Sequence, residues 1–451
     1  MKTDLMGSYR WWRREGDKLP NPSYAQRIFS AAGPVEEFIL SSRGPLDAEV
    51  QNHQRALRMG KNDRALLGMG VYGLARSLKA LTEATGGVRE PGVLLGLGYL
   101  DQIKPELRPC EYFTNYDYKS ALERADELRE RWFSSFCEET ATSLSELPVE
   151  AKDALSSYLS IPSFWLDFGP WKTVGEALSE LLEGKKRQSL QIRANTLKTG
   201  REELKRDLYS SGIASDYSEF SPTGLMIPGA VNVAGLPSFK EGLFEIQDEG
   251  SQLIALACGA KPGQKVLDLC AGSGGKSLAL AALMENRGLI VAHDNARLRL
   301  LRSDERIRRS GATIIKPLSA YEEVAGSAPY DVVLVDAPCS STGTLRRNPD
   351  VSWRWKKADI LSFSKVQREL LQKGSELVKR GGKLVYSTCS LLAPENRFVA
   401  EKFLENNRNF SPAKVLPGLP FSCIGSEGVR LPLNLPGYEG DGYFIASFLK
   451  I

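Results

Sequence analysis

KVLDLCAGSGGKSLALAALM, residues 265–284, passes from a short apolar run through a glycine-rich turn into a second apolar run with helical spacing. Lys265–Cys270 reads as a buried strand, and the residues from Ser277 onward as the helix that follows it. Gly272, Gly274 and Gly275 let the backbone turn tightly and approach a ligand where a side chain would stand. Working outward, similar apolar runs recur at Leu289–His293, Thr313–Lys316, Asp331–Asp336 and Lys383–Ser387, with helical segments between them, and Gly442–Leu449 adds another strand. Strand and helix in alternation predict an α/β domain, a doubly wound and mostly parallel sheet covered by helices on both faces.

Upstream the texture differs. Tyr24–Leu40, Asn62–Ala84 (opening on the capping-type Asn62), LERADELRERWFSSFCEE and Ala151–Leu159 carry apolar residues at helical spacing. Four segments are expected: a basic N-terminal extension at 1–20, an all-helical domain at 21–183, a small α+β connecting module at 184–240, and the α/β domain at 241–451. In the connecting module QIRANT reads as a strand and a helix begins near Arg201.

Composition bounds the function. The 451 residues are 42% apolar and 25% charged, as in an ordinary globular protein, and the net charge of +4 is too small to argue for nucleic acid without knowing where the charges sit. Seven cysteines without a paired spacing read as reduced thiols in the cytoplasm. Two histidines leave little material for a metal centre or a histidine triad, so no metal is expected. The absence of a leader-like N-terminus and of a long apolar run argues against secretion and membrane insertion.

The glycine loop is not a P-loop, because Cys270 stands where the first glycine is required, and Ser277 breaks the dinucleotide fingerprint. Asp294, twenty residues after Gly274, is placed to accept hydrogen bonds from a ribose. A nucleoside cofactor without a pyrophosphate fits, and S-adenosylmethionine is such a cofactor. Two further strands end in DAPCSSTGTLRRNPD and YSTCSLLAPEN, which brings Asp336, Cys339 and Cys389 to the cofactor edge of the sheet. A lone cysteine is usually a small buried hydrophobe, but two at adjacent strand ends over a cofactor loop suggest thiolate chemistry. Carbon 5 of cytosine accepts a methyl group only once a nucleophile has added to carbon 6, and an acid near N3 would stabilise the resulting charge, a place suited to Asp336.

DLCAGSGGKS, DAPCSSTGTLRRNP and YSTCSLLAPEN, with GLFEIQDEGSQL, RANTLK and GDGYFIASFLK, resemble the motifs of the RNA cytosine-5 methyltransferases of the Sun/Fmu family. The likeness covers about residues 190 to 451, and GKNDRALLGMGVYGLARS more weakly resembles the NusB-like helical domain that many bacterial members carry in front. It implies a mostly parallel seven-stranded sheet and methylation of cytosine in RNA, with 16S ribosomal RNA ahead of transfer RNA as substrate. A rival reading is a ribosome-assembly protein with weak catalysis. The likeness also implies Cys389 as nucleophile, Cys339 as the residue that helps release product, and S-adenosylmethionine bound on Cys270, Ala271, Gly272, Ser273, Gly274, Gly275, Lys276, Asp294, Ser319 and Asp336; a monomer is expected. Departures are specific: AGSGGK replaces AAPGGK, Ser341 stands where glycine is usual, Ser319 where an aspartate is usual, and Arg397 where a glutamate is common.

For RNA contact the expected residues are Arg193, Asn195 and Lys198 in the connecting module and Arg346, Arg347, Trp353 and Arg354 after Cys339, where cations and tryptophans interleave. Arg297–Arg309 reads as a solvated helix face. The N-terminal YRWWRR is open to three readings: RNA contact, packing on the fold, or partial disorder.

Overall fold

The computed structural model describes residues 22–41, 46–86, 88, 92–101, 116–137, 140–186, 188–229, 231–416 and 428–451. The extension at 1–20, Cys110, Arg187 and Cys423 lie outside the described residues. The chain forms two compact units, Met1–Arg187 with Thr344–Lys357, and Gln188–Gly343 with Ala358–Ile451. The segment 184–240, expected as a separate module, thus shares a unit with the α/β fold apart from its first residues, and Thr344–Lys357 belongs to the helical unit.

In the helical unit the run Tyr24–Leu40 is two helices, Pro22–Ala31 and Gly33–Ser41. Pro34 explains the break, because it has no N–H and its ring excludes a carbonyl four residues back; it is tolerated only in a first turn. The long helix Lys61–Ala84 is capped by Gly60, whose N–H donates to Asp63 Oδ2 at 3.2 Å, and Asn62 falls inside its first turn. Val93–Asp101 is buried along its whole length. It approaches Lys61–Ala84 closely: a Cβ on Gly98 would lie 2.3 Å from Leu74 N and 2.6 Å from Gly70 O. Neither obstacle is a flexible side chain, so Gly98→Ala is expected to cost the helical unit about 1–3 kcal/mol, read from its unfolding transition in urea.

The second unit begins with an antiparallel sheet, strands β1 (Leu190–Ala194), β2 (Asp216–Tyr217), β3 (Gly224–Ile227) and β4 (Phe244–Ile246), in the order β2-β3-β1-β4. The larger sheet comprises β5 (Lys265–Asp268), β6 (Leu289–His293), β7 (Ile315–Leu318), β8 (Tyr330–Asp336), β9 (Val378–Thr388), β10 (Phe410–Pro412), β11 (Val429–Leu431) and β12 (Tyr443–Lys450). Its order is β10-β12-β9-β8-β5-β6-β7, with β11 on β12, which among the described residues makes eight strands where seven were expected. β7, β6, β5, β8 and β9 run parallel, and β12 closes antiparallel on β9. Val266, Leu267, Val333, Leu334, Leu384 and Val385 are fully buried in the centre. From β5 the chain proceeds first to β6 and β7 on one side and then to β8 and β9 on the other, the reversal at which open sheets form a ligand crevice. The register Asp336↔Ser387 brings the loops after β8 and β9 out of the sheet together.

Candidate active site

The loop after β5 is shaped by glycines and by Asp294. Gly272 and Gly274 have φ of +57° and +81°, and a Cβ on Gly274 would meet Ser303 Cβ at 3.0 Å. Gly272 N–H donates to Asp294 Oδ2 at 3.0 Å, and Ala296 N–H to Oδ1 at 2.8 Å, which fixes the carboxylate at the end of β6. From behind, Arg306 donates to Ser273 O at 2.9 Å while Glu245 on β4 holds its guanidinium. Asp268, at the end of β5, accepts from Ser277 Oγ at 2.6 Å; its other oxygen is buried without a partner. Burial pushes Asp268 up to about 6. A loop with space over Gly272, an orphaned buried carboxylate oxygen beneath it and an oriented carboxylate beside it fits the amino and ribose groups of S-adenosylmethionine. Ser319 is exposed immediately after β7, at the same sheet edge.

The structure brings Lys276, Asp336, Cys339 and Cys389 together. Lys276 Nζ lies 2.6 Å from Asp336 Oδ2, and Ser387 Oγ donates to Asp336 Oδ1 at 2.8 Å. Burial works against the Lys276 ammonium, but Asp336 outweighs it, and the lysine stands above its ordinary value. Each carboxylate oxygen thus accepts a hydrogen bond, one from Lys276 and one from Ser387, which fixes Asp336 at the end of β8. The two partners are 60 residues apart in the chain, so their pairing carries no local sequence signal.

Cys339 Sγ and Cys389 Sγ are 3.4 Å apart, and Cys389 Sγ is 3.5 Å from Ser341 Oγ. The hydrogen bond from Cys339 lowers Cys389, and against burial the contact with Ser341 lowers it further. The same sulfur pair raises Cys339, which burial raises again. One thiol is thus biased to ionise and the other to keep its proton. Beneath them Glu395, fully buried, ties the two loops. It accepts from Ser340 N at 2.8 Å, Ser340 Oγ at 2.5 Å, Ser390 Oγ at 2.6 Å and Gln367 Nε2 at 3.0 Å.

Most expected RNA contacts have other work. Arg193 is buried and donates to Gln247 Oε1 at 2.7 Å, and Asn195 is buried with Nδ2 bonded to Gly242 O and Ser310 O. Lys198 Nζ caps carbonyls of Glu241 and Arg309 at 2.6 and 2.7 Å. Arg346 is buried beside Glu183, and Arg354 is paired with Asp350. The side chains of Arg193 and Arg346 are withdrawn from the surface, whereas Lys198 stays exposed. Arg347 is exposed and Trp353 half-buried. Among the described residues no group of three or more His, Cys, Asp or Glu could hold a metal, and no helix is long and apolar enough to cross a membrane.

A family described as 16S rRNA methyltransferase RsmB/F matches residues 255–449. The probable ribosomal RNA small subunit methyltransferase B of Synechocystis sp. is 33% identical over 309 residues, 67% of this chain and 69% of that protein. The chain belongs to the RsmB/F family. Another RsmB relative, the probable enzyme of Bacillus subtilis, is 36% identical over 57% of this chain and 59% of its own length. A methyltransferase homolog protein from Pyrococcus horikoshii is similar in structure, with a TM-score of 0.58, 28% identity, and coverage of 67% of this chain and 99% of that one. As an RsmB/F member the chain is an S-adenosylmethionine-dependent RNA cytosine-5 methyltransferase.

Proposed function

We propose that this protein methylates carbon 5 of a cytosine in 16S ribosomal RNA, as a cytoplasmic monomer, through a covalent bond between Cys389 and the base. The observation that carries the reading is the 3.4 Å sulfur pair, with Cys389 biased towards thiolate and Cys339 towards thiol. Cys270–Lys276, Asp294, Ser319 and Asp336 would hold S-adenosylmethionine, which supplies an electrophilic methyl group when bound. Cys389 Sγ adds to carbon 6, and the ring electron pair shifts towards C5 and N3. The Lys276–Asp336 pair receives the charge developing at N3. Once C5 carries its new methyl group, its proton must leave. With Cys389 bonded to C6, the sulfur pairing that kept Cys339 protonated is gone, and Cys339 yields its proton to solvent; the resulting thiolate takes the C5 proton, the electrons of the C5–H bond reform the C5–C6 double bond, and the S–C6 bond breaks to return the Cys389 thiolate.

The helical unit is assigned as NusB-like, and Arg347 and Trp353 remain as the RNA-facing candidates after Cys339. Ribosomal RNA as substrate is supported by the RsmB relatives. Labelled cofactor offered with undermethylated 16S ribosomal RNA and, separately, transfer RNA tests this. The expected product is a 5-methylcytosine at one site of the 16S RNA by base-resolution mapping. Label in transfer RNA alone, or in neither, refutes the assignment.

A further inference from the structure

Ser341 occupies a backbone conformation that disfavours its side chain. Its φ is +60°, a left-handed region that side chains rarely adopt, and glycine is the usual residue at this place in the motif. The loop around it is pinned on each side. Ser340 N–H and Oγ donate to Glu395, Gly343 N–H donates to Cys389 O at 2.9 Å, and Gly442 N–H donates to Gly343 O at 2.8 Å. Within that frame the Ser341 hydroxyl is carried to 3.5 Å from Cys389 Sγ. An unstrained glycine would leave this position without a donor.

We propose that the Ser341 hydroxyl is a catalytic group of this enzyme, donating a hydrogen bond that holds the Cys389 sulfur in its anionic form before addition and again when it leaves the base. This rests on Cys389 as the nucleophile. As a thiol, Cys389 donates to Ser341 Oγ; once the proton has gone to solvent, the hydroxyl rotates and donates to the anion. The second arrangement is charge-assisted and about twice as strong as a neutral bond, so the contact favours ionisation. Cys339 is the other donor to this sulfur, but it cannot serve throughout: to accept the C5 proton it must first give up its own. A hydroxyl does not ionise in this range and keeps its donor through both halves of the cycle. The remaining charges around the sulfur are Asp336 after β8 and Asp441 before β12, which oppose ionisation, and Lys276 at the glycine loop, which favours it. Glu395 acts against the ionisation of Cys339.

Two variants separate the hydroxyl from the backbone strain. Ser341→Ala removes the hydroxyl and keeps the strain, while Ser341→Gly removes both. The rate of iodoacetamide alkylation at Cys389, followed against pH on the full chain by peptide mass spectrometry, reads ionisation without RNA or cofactor. Both variants are expected to move the midpoint up by about half to one pH unit, a roughly 3- to 10-fold slower alkylation below it. Ser341→Gly should in addition raise the melting temperature. An unchanged midpoint in both overturns the proposal, and so does a shift in the glycine variant alone, which would mean that only the loop geometry matters. Adduct formation with RNA in a Cys339→Ala background reports on the nucleophile separately: a shifted midpoint without any adduct at Cys389 removes the catalytic role.

Discussion

Cys339→Ala is expected to leave the enzyme covalently attached to its RNA. Cys389 reaches carbon 6 without help from Cys339's carbon skeleton, since the two sulfurs meet only side by side at 3.4 Å. Addition and methylation therefore proceed. Release does not, because the S–C6 bond breaks only as the C5 proton departs, and the nearest group able to take it has gone. A slow-migrating protein–RNA band should persist through denaturing electrophoresis, with methylated cytosine inside it. Cys389→Ala should give no such band and should lower methylation by about 10⁴-fold or more, the loss typical of removing a nucleophile. The variants also differ in their effect on the surviving thiol. Removing Cys339 takes a hydrogen-bond donor from Cys389, so adduct formation should need a higher pH than the wild-type reaction; the Cys389 midpoint should rise. An adduct in Cys389→Ala and none in Cys339→Ala would reverse the roles.

The parts of this site that local patterning determines could be read from the chain. β6 spans Leu289–His293 as expected, because five apolar-dominated residues bounded by a glycine and an aspartate have few alternatives. β9 was expected at Lys383–Ser387 and begins earlier, at Val378; the Gly381-Gly382 pair hides its first turn of pairing, where the register with β8 shifts. β10 and β11 are three residues each, too short for alternation to register. Convergence of Cys339 and Cys389 followed from topology, since both leave parallel neighbours at the same end. Side-chain partners did not follow. Arg346 looks like a phosphate contact until Glu183 is found beside it, 163 residues away in sequence, and Arg193 until Gln247 takes its Nε–H. Charge is visible in a sequence; the burial that commits it is not. Ser341 and Arg306 act through the same kind of distant contact, and only Ser341 had a signal, its departure from the usual glycine.

Glu395 is the residue whose replacement should do most damage without touching the base. Its two oxygens accept hydrogen bonds from Ser340 N, Ser340 Oγ, Ser390 Oγ and Gln367 Nε2, all in the interior, and these donors come from the Cys339 loop, the Cys389 loop and the helix Lys357–Leu377. Burial raises its pKa, while the donors act to keep it ionised. In Glu395→Ala those donors lose their acceptor at once, with no water-sized polar replacement in place. At about 1–3 kcal/mol for each buried group left unpaired, the total loss should be on the order of 3 kcal/mol or more, a fall in melting temperature of roughly 6–12 °C for a unit of this size. Methylation should fall at least about 100-fold, since the two sulfurs are held at their 3.4 Å spacing by loops that Glu395 joins. Glu395→Gln should be milder. Its oxygen can keep Ser340 N and Gln367 Nε2, and its amide nitrogen can donate to the Ser340 and Ser390 hydroxyls, which rotate to accept. A tenfold loss of activity with little loss of stability is expected there. If Glu395→Ala instead retains methylation within tenfold of wild type, the sulfur spacing must be set by the backbone bonds between Gly343, Cys389 and Gly442 alone.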